Sequence, residues 1–236
     1  MKKRLNVILL IAVALCSCHS FLDVVPETSL SSATFFKTES DFKQAVNAAY
    51  APLRNIANDH AWCLGELHSD NTYYARNVLF GAVDNTENLA DFAVPTANGI
   101  TTNTHVRDQY RLDYLIIART NQVLALIDGV DFDADTKADL KGEALFLRAY
   151  AYFELVQYFG KVPLHLTPVT NREQAALPLT SADSIYDQII KDATEAASLL
   201  PPKSVQEAGR ATSGAAKTLL ANVYMVQKKW SDAGTL

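Results

Sequence analysis

The chain has 236 residues, of which 21 are basic and 26 acidic, and its formal net charge is −5. No cluster of Lys and Arg forms the basic patch that a nucleic-acid-binding protein presents, so nucleic acid is not expected as a partner. Three cysteines are present, and two of them, Cys16 and Cys18, lie close to the N-terminus. This number and placement argue against a fold held together by disulfides.

The N-terminus has the layout of an export signal. Basic residues occupy positions 2–4, and an apolar run follows over residues 5–15. That run is far shorter than the ~20 apolar residues needed to span a bilayer. The pattern therefore predicts a secretory signal peptide rather than a transmembrane helix.

The segment Leu15-Cys16-Ser17-Cys18 resembles a bacterial lipobox, with Leu at −3, small residues at −2 and −1, and Cys at +1. It predicts that residues 1–17 are removed and that Cys18 carries the lipid anchor, since more than one acyl chain on Cys18 gives stable membrane attachment. Cys16 is the weaker candidate because Leu15 would then stand at −1. The alternative is an ordinary cleaved signal with incidental cysteines. Residues 18–37 are predicted to form a tether.

The rest of the chain, residues 38–236, is predicted to be an all-α domain, because its apolar residues recur at helical spacing. Five helices are predicted. The first begins at Thr38, the second covers Val106–Asp128, the third runs from about Thr136 to Gly160, the fourth from Thr180 to Leu200, and the fifth begins after Thr212. Capping boxes are predicted with Asp41 in the first helix, Asp139 in the third and Asp183 in the fourth. The fourth helix is expected to stop at Pro201-Pro202, which cannot continue it.

Two connections stand out between these helices. Lys161–Thr180 contains three prolines, so it is predicted to be extended, with one short strand at Val162–Leu166. Trp62–Asn103 has no sustained hydrophobic period and is predicted to be a long irregular loop. Loops longer than roughly 12–15 residues are uncommon in compact domains and tend to be functional, so the ligand site is expected there. Cys63, within this loop, is interpreted as a small buried hydrophobic residue.

The end of the chain suggests a helical repeat. Leu220, Ala221 and Tyr224, followed by Trp230 and Ala233, match the spacing of a tetratricopeptide unit. The alternative is any antiparallel helix pair with a well-packed core.

The fifth helix also carries a wide apolar stripe that includes Leu219, Leu220, Val223 and Tyr224. The fourth helix alone is too narrow to bury such a stripe. The expected partner is a further helix that begins at Ser231, and without more of that helix residues 19–236 are expected to fold poorly.

Five motifs in chain order carry a family resemblance. They are Phe21-Leu22-Asp23 with Pro26 shortly after Cys18, Ser40-Asp41-Phe42, the segment from Glu143-Ala144 through Phe146-Leu147-Arg148-Ala149-Tyr150 to Tyr152-Phe153, Phe159-Gly160 with Val162-Pro163-Leu164, and Gly209-Arg210-Ala211-Thr212 with Ala215-Ala216-Lys217, Leu219-Leu220 and Tyr224. Together they resemble the N-terminal half of the SusD/RagB family of outer-membrane nutrient-binding lipoproteins, whose members are about twice this length.

The resemblance implies a tetratricopeptide-like scaffold with a long irregular ligand-binding loop. It implies a lipid-anchored, surface-exposed protein of the outer membrane that acts without catalysis or a cofactor. Such proteins capture an oligosaccharide, or a peptide in RagB-like members, and pass it to a SusC-like TonB-dependent barrel. The alternatives are a repeat scaffold that binds only protein and a lipoprotein hydrolase.

Candidate ligand-binding residues lie in the predicted loop, where aromatic and polar side chains alternate. They are Trp62, Asp70, Asn71, Tyr73, Tyr74 and Arg76. Aromatic rings stack on the apolar C–H face of a sugar, while carboxylate, amide and guanidinium groups bond its hydroxyls. The alternative is that these aromatic rings pack on the helices and the polar groups stabilise turns.

Metal and hydrolase sites are not predicted. The set His60, Glu66, His68 and Asp70 matches no zinc signature. The set Asp131, Asp133 and Asp135 lacks the Gly and Glu of a calcium loop and is interpreted as capping the third helix. No G-x-S-x-G elbow is present. Two carboxylates facing each other across a cleft, as a glycosidase needs, are not indicated either.

Overall fold

Long helices make up most of the part of the chain that the computed structural model describes, which is residues 32–67, 69–72 and 103–236. The long helices are α1 (Glu39–Asn55), α2 (Thr104–Leu126), α3 (Ala134–Phe159), α4 (Ala182–Leu199) and α5 (Ser213–Val226). The shorter ones are the α-helices Ser32–Phe35, Ala61–Gly65, Arg172–Ala175 and Trp230–Ala233, the π-helical segment Ile56–His60 and the 3₁₀ turn Ile127–Gly129. The predicted all-α class and its five helices are confirmed.

The chain divides after Phe35 into two units, and the features below belong to the second, Phe36–Leu236. The predicted signal peptide and Cys18 lie outside the described residues. No helix in the described ranges is both long and apolar enough to cross a membrane.

Two predicted helix starts are confirmed in atomic detail. Thr38 caps α1, its side chain accepts a hydrogen bond from the Asp41 N–H, and Asp41 Oδ2 accepts one from the Thr38 N–H at 2.8 Å. This is the reciprocal capping box that the sequence predicts. Thr212 caps α5, with the Ala215 N–H donating to Thr212 Oγ1 at 3.1 Å.

The predicted capping boxes at the starts of α3 and α4 were wrong, although the cap that the sequence assigned to the aspartates before α3 is confirmed at Asp133. Asp133 caps α3 and accepts from the Thr136 N–H at 2.8 Å, whereas Asp139 accepts from Gln206 Nε2 at 2.7 Å. An aspartate just before the helix can take the terminal N–H groups as well as Thr136 can, and it adds a favourable charge. Ser181, not Thr180, caps α4, and its hydroxyl accepts from the Ser184 N–H at 3.2 Å.

The predicted Trp62–Asn103 loop was wrong at both ends. The π-helical segment continues α1 into a helix over Ala61–Gly65, so Trp62 is helical. At the other end Asn103 caps α2, its Oδ1 accepting from the N–H groups of His105 and Val106 at 3.0 and 3.2 Å. Residues 73–102 of the predicted loop lie outside the described part of the chain.

The helices pack in series, as in a tetratricopeptide array. α1 packs on α2, α2 on α3, α3 on α4 and α4 on α5, and α1 and α5 also touch α3. The centre of the core contains Ile116 of α2, Leu147, Tyr152 and Leu155 of α3 and Ile189 of α4, none of them exposed. α3 is therefore the central helix.

The connection from α3 to α4 contains more structure than predicted. The strand is Val162–Pro163 rather than Val162–Leu166, and it pairs antiparallel with an unpredicted strand, Leu179–Thr180. Core side chains hold the backbone that follows. Tyr114 OH donates to the Pro163 carbonyl at 2.6 Å, and Tyr152 OH donates to the His165 carbonyl at 2.8 Å.

The C-terminal stripe is buried more completely than predicted. Leu219, Leu220 and Val223 are at most 5% exposed, because α5 packs on α3 as well as α4. Three of the four stripe residues are thus buried without a longer last helix, contrary to expectation, and Tyr224 is partly buried. The last helix is Trp230–Ala233, one residue earlier than predicted, and Trp230 itself is 64% exposed.

Candidate functional site

Trp62 is the predicted ligand residue that the structure places most clearly. Its indole N–H donates to the Asn58 carbonyl at 3.1 Å, which fixes the ring against the preceding π-helical turn. The side chain is nevertheless 45% exposed. The indole ring is held at its polar edge and much of its surface is in solvent. It can therefore stack on an apolar face of a ligand.

A polar turn follows the Trp62 helix. Ser69 Oγ donates to the Glu66 carbonyl at 2.8 Å, Thr72 Oγ1 bonds the same carbonyl, and the Asn71 N–H donates to Ser69 Oγ at 3.3 Å. The backbone of the turn is thus held by Ser69 and Thr72. Asp70 and Asn71 are exposed on it, and their side chains form no hydrogen bond within the described residues.

Buried side chains attach this segment to α2. Cys63 is 1% exposed and Leu67 5%, and they pack with Leu64 and Val106. Burial, aided by the charge of Asp59, raises the pKa of the Cys63 thiol to about 11. Cys63 is therefore a neutral hydrophobic residue at physiological pH, as predicted.

Trp62, Asp70 and Asn71 are exposed side chains within one short stretch of the sequence, and their role in ligand binding stays a prediction. The other candidates, Tyr73, Tyr74 and Arg76, lie outside the described residues, as does His68. Whether their side chains face a ligand stays a prediction.

One contact beside this segment was not predicted. His60 meets His105 of α2, with their Nδ1 atoms 3.3 Å apart. The sequence suggested His60 only in a set with His68, Glu66 and Asp70. His105 is 45 residues away from His60 in the sequence, so no local spacing links the two.

A cleft of about 620 Å³ lies between α3 and the α4–α5 connection. It shares no lining residue with the Trp62 segment. Its polar lining residues are Lys43 of α1, Asp135, Thr136, Asp139 and Glu143 of α3, and Gln206, Glu207 and Arg210 of the connection. These residue types are those that a carboxylate-based hydrolase would use, so their geometry decides what the cleft can do.

Glu143 is fully buried and already bonded. Arg210 Nη1 donates to both Glu143 carboxylate oxygens at 3.0 Å, and Arg210 Nη2 donates to Asn47 Oδ1 at 3.0 Å. Burial raises the pKa of Glu143, while a hydrogen bond with Tyr50 and the Arg210 charge oppose that shift. The network fastens the start of α5 to α1 and α3, so Glu143 and Arg210 are structural and are not positioned to reach a substrate.

The fold and the Trp62 segment together define a class: a helical-repeat scaffold that holds an exposed aromatic ring beside a polar turn. Comparison with known proteins gives the family. The chain belongs to the SusD-like family described as starch-binding and associating with the outer membrane, which matches residues 20–225.

Several relatives support this membership. The SusD-like protein P25 of Formosa agariphila is 28% identical over 231 residues, covering 91% of this chain and 41% of that protein. A SusD-like protein of Bacteroides ovatus is 30% identical over 250 residues, covering 100% of this chain and 41% of its own length. The chain therefore spans about two fifths of these relatives.

Solved structures match at the level of the fold. A SusD superfamily protein from Bacteroides vulgatus superimposes with a TM-score of 0.73 at 27% identity, covering 85% of this chain and 42% of the other. A laminarin-binding SusD-like protein gives a TM-score of 0.73 at 26% identity over 85% and 42% of the two chains. The resemblance inferred from the motifs is confirmed.

Proposed function

We propose that this chain belongs to a surface lipoprotein that captures a nutrient oligosaccharide and passes it to a TonB-dependent outer-membrane transporter. In this proposal the lipid on Cys18 holds the protein at the outer membrane, and the protein binds its ligand without transforming it. The family description and the laminarin-binding relative support a carbohydrate as the ligand class.

The observation that carries this proposal is the environment of Trp62. Its ring is oriented by the bond to Asn58 and is 45% exposed, and the exposed Asp70 and Asn71 follow in the same segment. A sugar needs one apolar face and several hydrogen-bonding groups, and this segment offers both.

The two tryptophans of the chain allow a direct test. Trp62 and Trp230 are 45% and 64% exposed, and they lie at opposite ends of the second unit's sequence. The Trp230→Phe variant keeps Trp62 as the sole indole, whereas Trp62→Phe keeps Trp230. Titration with laminarin or starch oligosaccharides should change the fluorescence of Trp230→Phe saturably and leave that of Trp62→Phe unchanged.

A matched pair of alanine substitutions completes the test. Trp62→Ala should weaken oligosaccharide binding in calorimetry, by about 1 kcal/mol or more for a lost stacking contact, and Trp230→Ala should not. Equal effects of both substitutions, or none, would contradict the proposed site. Release of shortened sugars during the titration would indicate a hydrolase instead.

The alternatives predict different partners. A peptide-binding RagB-like member should bind oligopeptides but not oligosaccharides. A protein-only scaffold should bind neither and should co-purify with the transporter regardless of Trp62. Pull-down of a SusC-like barrel from native membranes, with and without Cys18, tests the partner separately from the ligand.

A further inference from the structure

A row of aromatic rings lies where α2 meets the end of α3, and the proposed function uses none of them. Each ring in the row contacts the next, with centroids 6.3, 5.1, 4.8 and 5.9 Å apart. In order, the rings belong to Tyr158 and Phe159 of α3, Tyr110 and Tyr114 of α2, and His165 of the α3–α4 connection. We call these five residues the aromatic strip.

The aromatic strip lies at the surface of the protein. Tyr158 is 39% exposed, and the other four side chains are partly exposed. The core aromatic residues Tyr152 and Phe42, in contrast, are not exposed at all. One ring of the strip is also held at its polar end, because Tyr114 OH donates to the Pro163 carbonyl at 2.6 Å. Aromatic rings that are fixed and partly in solvent can stack on the apolar C–H faces of sugar units.

The strip is a separate surface next to the proposed Trp62 site. Val106 of α2 packs against the segment that contains Trp62, and Tyr110 is one helical turn further along α2. At the other end of the strip, Tyr114 and His165 line a mostly apolar cavity of about 200 Å³. This cavity gives the strip a recess that can receive part of a ligand lying on the rings.

Two arginines lie beside the strip. Arg107 and Arg111 each precede a tyrosine of α2, Tyr110 and Tyr114, by three residues, and residues three apart on a helix are surface neighbours. The arginine side chains are 58% and 70% exposed, and both pair with the single carboxylate of Asp108, at 3.1 and 3.7 Å. Two guanidinium groups beside one carboxylate leave a net positive charge here, although the chain as a whole carries −5.

The carboxyl groups behind the strip offset little of this positive charge. Asp113 and Glu154 are close enough to act on Tyr158. Burial raises the pKa of Asp113 to about 8, so this group is protonated at neutral pH, and burial also raises the pKa of Glu154. Lys161, exposed just after the end of α3, adds a further positive charge. The strip therefore combines stacking surfaces with a positively charged edge.

We propose that the aromatic strip binds an acidic oligosaccharide, whose sugar units carry carboxylate or sulfate groups. The rings stack on the sugar faces, while Arg107 and Arg111 bond the anionic groups, which match the fork of donors on a guanidinium group. This proposal rests on the proposed function, which makes the ligand a carbohydrate. It adds a second binding surface and the charge of the ligand.

The test uses the full chain and three hexasaccharides: an oligogalacturonate, a sulfated heparin fragment and laminarihexaose, which is neutral. In Trp62→Ala, which lacks the proposed Trp62 site, at least one acidic probe should still bind saturably in a calorimeter, about tenfold or more tightly than the neutral one. With Trp62 intact, Tyr158→Ala should weaken binding of that acidic probe about fivefold. Arg111→Gln should weaken it similarly at low salt, and this difference should shrink in about 0.5 M NaCl.

Two control variants separate direct contacts from indirect effects. Tyr158→Phe keeps the ring, so it should bind the acidic probe like the parent. Lys203→Gln removes an exposed positive charge in the α4–α5 connection, and it should also bind like the parent. Because the side chains changed at positions 111, 158 and 203 are exposed, the melting temperatures of these variants should stay close to that of the parent.

Several results would overturn the proposal. Failure of both acidic probes to bind, equal affinities for acidic and neutral probes in Trp62→Ala, or parent-like binding by both Tyr158→Ala and Arg111→Gln would each do so. An equal loss in Lys203→Gln and Arg111→Gln would indicate general attraction between opposite charges instead of a site. The two surfaces also fail separately, because parent-like binding of laminarihexaose by Trp62→Ala contradicts only the proposed Trp62 site.

Discussion

Arg148 of α3 and Asp192 of α4 form a two-pronged ion pair inside the protein. Arg148 Nε donates to Asp192 Oδ2 at 2.7 Å and Nη2 donates to Oδ1 at 2.8 Å, with side-chain exposures of 9% and 2%. Arg148 Nη1 also donates to Asn121 Oδ1 of α2 at 2.9 Å. This arginine, in the motif that carried part of the family resemblance, therefore joins three consecutive helices.

Removing one partner of this ion pair should strongly destabilise the folded protein. Asp192→Ala leaves the Arg148 charge buried without its counter-ion, which is expected to lower the free energy of unfolding by about 3–5 kcal/mol. The double variant Arg148→Met/Asp192→Leu should lose less than the sum of the two single changes, because it removes both charges. Urea denaturation of the three variants measures these differences.

An exposed pair serves as the control. Lys43 and Glu39 of α1 lie 2.7 Å apart with exposures of 48% and 37%, and Glu39→Gln should change stability by less than about 1 kcal/mol. A loss in Asp192→Ala no larger than this would show that the buried pair does not hold the helices together.

Gly142 of α3 lies against the end of α4. A Cβ added there would lie 2.9 Å from Leu200 Cγ and 3.2 Å from Leu199 Cβ. Gly142→Ala should therefore destabilise the protein by about 1–3 kcal/mol, although alanine is the better helix former by about 1 kcal/mol.

Gly214, in the first turn of α5, provides the comparison. Its added Cβ would meet nothing closer than Thr212 Oγ1 at 3.7 Å, so Gly214→Ala should be neutral or slightly stabilising. Thermal unfolding of both variants decides the point. Equal melting temperatures would mean that α4 can shift to accept the methyl group at position 142.

The sequence predicted the helices well because their apolar periods are regular and several of their ends carry strong chemical signals. Thr38 with Asp41 and the Pro201-Pro202 pair are such signals, and the helices begin and end there. The start of α3 was misplaced by a few residues because Asp133, Asp135 and Thr136 can all accept from terminal N–H groups.

The helical setting of Trp62 was missed for a physical reason. The π-helical turn Ile56–His60 winds with more residues per turn than an α-helix. It shifts the apolar positions that follow, so an α-helical period no longer fits them. Contacts between residues far apart in the sequence could not be predicted either. The burial of Leu219 depends on packing against α3. The His60–His105 contact depends on how α2 packs beside the π-helical segment.

The lipid anchor predicted at Cys18 can be tested directly. Cys18→Ala should abolish palmitate labelling and release the protein from membranes, because acylation supplies the anchor. Cys16→Ala should keep both properties. A Cys18→Ala protein that stays labelled and membrane-bound would show that the lipobox was assigned to the wrong residue.

Tyr73 and Tyr74 remain predicted ligand residues. Replacing both with Ala should weaken oligosaccharide binding by on the order of 1 kcal/mol per stacked ring while the melting temperature stays nearly unchanged. Calorimetry and thermal unfolding of the same sample separate the two effects. Unfolding of the double variant would instead identify the rings as part of the core.

Asp113 of α2 is a buried carboxyl group with a raised pKa. Burial is the main cause that raises its pKa to about 8, and the charge of Glu154 adds to the shift, while a hydrogen bond from Gln109 opposes it. Gln109 Nε2 donates to Asp113 Oδ2 at 2.9 Å, but neither Asp113 Oδ1 nor Gln109 Oε1 has a partner within the described part of the chain. A protonated Asp113 supplies a donor beside these acceptors.

This shift makes stability depend on pH. Below about pH 4 both the folded and the unfolded forms keep the Asp113 proton, since an unperturbed Asp has a pKa near 3.9. Between pH 4 and 8 the unfolded chain loses that proton while the folded protein keeps it, which favours unfolding by up to about 1.4 kcal/mol per pH unit. The contribution of Asp113 is thus fully present at low pH and is lost as pH rises through 8.

Asp113→Asn should remove this dependence while retaining a hydrogen-bond donor. Relative to the parent, the free energy of unfolding of the variant should increase steadily from pH 4 to 8, and the difference should stay constant above pH 8. Urea denaturation at each pH measures it, with Asp183→Asn on the exposed first turn of α4 as the control. Parallel curves for Asp113→Asn and the parent would show that Asp113 is ionised in the folded protein, with its charge compensated inside the core.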